Sequence, residues 1–76
     1  MEWERRGRVI IFSSKAPYRK VARDSGIETV GSQLKFLRPG VVSEGWSDGG
    51  RGFQYEVTFA SEELAQGGLD WLDVKN

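Results

Sequence analysis

A chain of 76 residues with no cysteine, no histidine and 11 basic against 11 acidic side chains excludes several functions at once. Disulfides, thiolate chemistry and the common zinc and iron sites need residues it lacks, and zero net charge argues against generic nucleic-acid binding. One small domain, residues 1–76, is expected; at this size only about 60% of the unfolded surface is buried, so association is the staple left open to it.

The first element predicted along the chain is a strand over Arg8–Ser13. Its core, Val9-Ile10-Ile11-Phe12, is a contiguous β-branched and aromatic run, which predicts burial on both faces and a central place in a sheet. Lys15-Ala16-Pro17 reads as a turn and Tyr18–Arg23 as an amphipathic strand anchored by Tyr18 and Val21. Asp24-Ser25-Gly26 is a turn signal. Ile27–Val30 reads as a strand broken by Gly31-Ser32, and Gln33–Arg38 as a further strand with Leu34 and Phe36 on one face. Arg38-Pro39-Gly40 predicts a tight turn, because proline presets φ and glycine supplies the left-handed residue.

Val41–Ser43 reads as a short strand ending near Trp46. The glycine-rich stretch that follows, with Gly45, Gly49, Gly50 and Gly52, reads as a long, flexible hairpin connection. It does not read as a phosphate cradle, since a strand rather than a helix follows the glycines. Phe53–Phe59 alternates without fault: Phe53, Tyr55, Val57 and Phe59 share one face. Residues 61–66 predict a short helix capped by Ser61, with Glu62 and Glu63 where the helix dipole favours them. Gly67-Gly68 is expected to stop it, and Leu69–Val74 to return as a last strand or turn. The fold class that follows is mainly β: a small antiparallel barrel or sandwich of five to six short strands with one short helix.

Charge is unevenly distributed. Residues 1–38 carry nine basic and four acidic side chains, and residues 39–76 carry two basic and seven acidic, so the halves stand at +5 and −5. Internal pairing across neighbouring strands explains this; so does a dipolar surface that orients the protein on a partner or on another copy. The basic set Arg5, Arg6, Arg8, Arg19, Lys20 and Arg23, interleaved with Trp3 and Tyr18, is the candidate surface for a nucleic acid or an acidic partner. Trp3, Trp46, Asp48 and Arg51 are the candidate protein-interface residues, tryptophan and arginine being the types enriched at binding hot spots. Glu62 with Glu63 and Asp70 with Asp73 make poor acid–base pairs, since catalysis needs carboxylates converging across a cleft. No catalytic residue, metal ligand or cofactor site is therefore expected.

The segments Phe12-Ser13-Ser14-Lys15, Tyr18-Arg19-Lys20-Val21, Leu34-Lys35-Phe36, Thr58-Phe59 and Ser61-Glu62-Glu63-Leu64 together resemble a pattern of short bacteriophage and prophage proteins: F-x-S-K, Y-x-V-V, a strand ending I-x-F, and T-x-D-E-E-L. The resemblance spans residues 8–66. The chain departs from it at residues 45–52 and in the tail 67–76, where a longer helix belongs to the pattern. It implies a phage setting in which small β modules are virion accessory parts; it carries no implication of a particular activity.

The function expected is non-enzymatic: an assembly or binding module such as a capsid, decoration or tail component, with protein partners or self-assembly. The alternatives are a nucleic-acid-binding small barrel using the N-terminal basic residues, and a small inhibitor docking on a host protein. The longest apolar run, Val9–Phe12, is far short of the ~20 residues of a membrane span. The start MEWERRGR mixes acid with base, unlike an export signal. No membrane and no small-molecule substrate are expected; the location expected is the cytoplasm, or the virion after assembly.

Overall fold

A computed structural model describes residues 3–15, 28–30, 33–49 and 52–75. They form strands β1 (Trp3–Arg6), β2 (Val9–Ser14), β3 (Glu28–Val30), β4 (Gln33–Lys35), β5 (Val41–Gly49) and β6 (Gly52–Phe59), and one helix, α1 (Glu62–Lys75). The protein is thus mainly β with one helix. The main sheet is antiparallel with order β1-β2-β6-β5, while β3 and β4 pair as a separate ribbon. A single body of five to six strands was expected; the main sheet has four, and it does not close on itself among the described residues. The expected turn at 15–17, strand at 18–23, turn at 24–26 and break at 31–32 lie wholly or largely outside the described residues.

The contiguous apolar run does lie on a central strand: β2 pairs with β1 on one side and β6 on the other. Ile10, Ile11 and Phe12 are all buried, so both faces of β2 are covered at this point. Strand β6 keeps its alternation, with Phe53, Tyr55, Val57 and Phe59 buried on the face that α1 covers. One element went unpredicted. β1 is highly charged, yet it joins the sheet because a turn at Gly7-Arg8 brings Arg6 opposite Val9.

Registers across the four strands line up Trp3, Phe12, Tyr55 and Trp46 as one transverse row on the same face. Trp3 packs on Phe12 with ring centroids 5.2 Å apart and meets Tyr55 and Phe36 edge-on at 6.4 and 5.8 Å. Such tilted and T-shaped contacts suit the ring quadrupoles. Phe36 continues the cluster to Phe59 and Trp71.

The strand expected over Gln33–Arg38 ends at Lys35, where Phe36 leaves the ribbon for the core. Two larger differences from expectation fall at glycines. The segment after Val41–Ser43 is not a long loop: β5 runs on to Gly49, which is paired with Gly52, so two residues separate the strands. Pairing to β6 carries the chain through Gly45 and Trp46 despite the weak strand preference of glycine. A bulge between Val41 and Ser43 leaves Val42 as the extra residue. The turn at 38–40 forms as predicted, with Gly40 at φ 88°.

The helix is the second difference. It begins as expected, with Ser61 Oγ accepting from the Leu64 N–H at 3.2 Å and the Ser61 carbonyl accepting from the Ala65 N–H. It then continues through Gly67 and Gly68 to Lys75, so no strand or turn follows at 69–74. Ala65, Gly68 and Leu72 are buried against the sheet at helical spacing. A Cβ on Gly68 would stand 2.7 Å from Phe59 Cζ and 3.3 Å from Phe36 Cε1. Gly68 is therefore where the helix backbone approaches the aromatic core, and packing there outweighs its cost of about 1 kcal/mol in helix propensity.

Candidate functional site

The geometry of β5 follows from its place at the sheet margin. α1 packs on β1, β2 and β6, leaving the far end of β5 uncovered by the helix. Trp46 is 53% exposed there, on the core side of the sheet, and its indole stacks on Phe53 with centroids 5.8 Å apart and planes at 20°. Phe53 is itself buried. The exposed indole thus rests on a rigid aromatic base. Asp48 is the register partner of Phe53, two residues further along β5, and Arg51 lies outside the described residues.

Trp3, the other tryptophan weighed as an interface residue, is only 8% exposed. The strand pairing of β1 turns Trp3 onto the core face, where it is part of the aromatic cluster.

Next to Trp46, Glu44 makes a contact that the sequence reading missed. Its Oε1 accepts from the Tyr55 hydroxyl and from the Phe36 N–H, the latter at 2.8 Å. One carboxylate thereby ties the segment leading into the 38–40 turn to the sheet. The signal was present in the period of two: Glu44 shares a face with Trp46 once β5 is extended past Ser43. Glu44→Ala should remove the acceptor that the Tyr55 hydroxyl and the part-buried Phe36 N–H share, and cost about 1–3 kcal/mol. Glu44→Gln, which keeps a carbonyl acceptor, should cost less; urea unfolding followed by tryptophan fluorescence reads both.

Among the described residues, the basic candidates Arg5, Arg6 and Arg8 do not share one face. Arg5 and Arg6 are neighbours on β1 and so face opposite sides of the sheet. Arg5 Nε donates to Gln66 Oε1 at 2.8 Å and one terminal nitrogen donates to the Gly7 carbonyl at 3.1 Å. Gln66 in turn donates to Asp70 at 2.9 Å, so the basic first half and the acidic helix meet through this chain. Arg6 pairs with Glu4 at 3.0 Å, both largely in water, where such pairs contribute little. Arg8 is exposed at the first turn. Arg19, Lys20 and Arg23 lie outside the described residues.

Gly45, Ser47, Gln54 and Glu56 of the outer face, with Trp46 between Gly45 and Ser47 on the chain, border a shallow hollow of about 280 Å³. Its one carboxylate, Glu56, accepts from Gln54 at 3.2 Å. Glu62 and Glu63 are exposed in the first turn of α1. Among the described residues no group of three or more acidic side chains is placed to hold a metal ion, and no helix is long and apolar enough to cross a membrane. No family model, curated protein or solved structure matches the chain.

Proposed function

We propose that this protein is a binding or assembly module that works through surface contact, with β5 and Trp46 as its contact element. The observation that carries this reading is Trp46 itself, half exposed yet stacked on buried Phe53 at the margin of the sheet. A large side chain already held in place loses little conformational freedom on binding, which is the property of a hot-spot residue. The resemblance to short phage proteins supports a virion as the assembly, with the chain as a capsid, decoration or tail accessory part. The placement of Arg5 and Arg6 on opposite faces of β1 favours a protein partner over a nucleic acid.

Trp46→Ala should weaken association with the assembled particle or oligomer at least about 30-fold, the size of a hot-spot loss of roughly 2 kcal/mol, and so lower its occupancy. Val74→Ala, at a helix position 88% exposed, should leave it unchanged, and added DNA should have no effect. Recovery of the Trp46→Ala protein at wild-type occupancy would remove β5 as the contact element.

A further inference from the structure

Among the described residues, the two outer strands of the sheet are protected very differently. β1 is four residues long and three of them, Glu4, Arg5 and Arg6, are charged and exposed. Short, charged strands are the usual guard against edge-to-edge pairing. β5 is nine residues long. The carboxylate at its centre, Glu44, is engaged with Tyr55 and Phe36. The side chains on the outer face of β5 are small: Ser43, Gly45 and Ser47, and a Cβ on Gly45 would meet nothing within 4 Å.

Resting on the assembly reading above, we propose that the partner of β5 is a second copy of this chain, paired antiparallel edge to edge about a two-fold axis at Gly45. Gly45 is the midpoint of Val41–Gly49 and of Ser43–Ser47 within it, so this register gives the longest overlap. It sets Ser43 opposite Ser47 of the second copy, and Glu44 opposite its Trp46, each twice. Shifting the axis to Glu44 sets the two Glu44 side chains opposite each other. Moving it to Trp46 sets Glu44 opposite Asp48, again twice. Like charges directly opposed are unfavourable, so the Gly45 axis is the one the charges select. The bulge at Val42 turns the first residues of β5 aside, which leaves Ser43–Ser47 as the central paired stretch. A net charge of zero adds no overall repulsion between copies. The product is a continuous eight-stranded sheet with both helices on one side, and Trp46 of each copy beside Glu44 of the other.

Sedimentation of the wild-type chain at micromolar concentrations should give a species of twice 8.6 kDa. The double variant Ser43→Lys with Ser47→Lys opposes two ammonium groups at each end of the pair and should weaken association by about tenfold or more. Ser43→Lys with Ser47→Glu opposes unlike charges and should restore it. Both positions are exposed, so circular dichroism should stay that of the wild type. On the wild-type chain alone, amide exchange in Ser43–Ser47 should slow as concentration rises. A monomeric wild type, a doubly lysine-substituted dimer of undiminished affinity, or concentration-independent exchange would each overturn the proposal. If the wild type is monomeric while Trp46→Ala still lowers occupancy on a larger assembly, the second copy is wrong and the contact element stands.

Discussion

Gly52→Ala should destabilise the protein by about 3 kcal/mol or more. Gly52 has φ 114°, a backbone conformation that side-chain-bearing residues rarely adopt. The added Cβ would also stand 2.4 Å from the Ser14 carbonyl oxygen and 3.1 Å from Lys15 Cα. Both obstacles are backbone at the end of β2, so relief requires β2 or β6 to move. A domain of this length has roughly 4–11 kcal/mol of stability in all, and the loss is a large part of it. Gly45→Ala is the control, since its Cβ enters open space; it should shift stability by no more than about 0.5 kcal/mol. Urea denaturation of the two variants, compared at equal m-value, decides the matter. Equal stabilities would mean that β2 and β6 do not meet at Gly52 as described.

The second large effect is a contrast of sign between adjacent residues. Gly67→Ala should stabilise by up to about 1 kcal/mol, because the position is exposed, helical and open around its Cβ. Gly68→Ala gains the same propensity but drives a methyl to 2.7 Å from Phe59 Cζ. Phe59 is fully buried and braced edge-on by Phe36 at 5.8 Å, so its ring has little room to yield. Overpacking of this kind costs about 1–3 kcal/mol, and the net change should be a loss. Thermal unfolding of the pair measures it: two stabilised proteins would show that the helix does not depend on a close approach at Gly68.

These two glycine pairs also show where sequence reading reached its limit. Gly67-Gly68 reads locally as a helix stop, and the propensity argument behind that reading is sound. It is overruled because Ala65, Gly68 and Leu72 recur at helical spacing and bury against the sheet. Gly45 and Gly49 likewise read as loop, yet β6 offers a paired strand along their whole length. The candidate site was legible in part. Trp46 stood out by its polar, glycine-rich surroundings, and it is exposed. Trp3 stood out for the same reason and is buried, because pairing with β2 decides which way it faces. Glu44 was passed over, since its two donors come from Phe36 and Tyr55, eight and eleven residues away.

Features set by neighbours along the chain were open to reading from residue order. The faultless alternation of Phe53–Phe59, the two-sided burial of Ile10–Phe12, the turn at Arg38-Pro39-Gly40 and the Ser61 cap are of this kind. Each follows from local sterics or from a period of two. The tertiary structure alone decided the recruitment of charged β1, the continuation of β5 through its glycines, the passage of α1 across Gly67-Gly68, and the anchoring of Glu44. In each of those cases a residue weak or ambiguous in its local preference is held by contacts from a distant strand, and the free energy of packing exceeds the propensity it overrides.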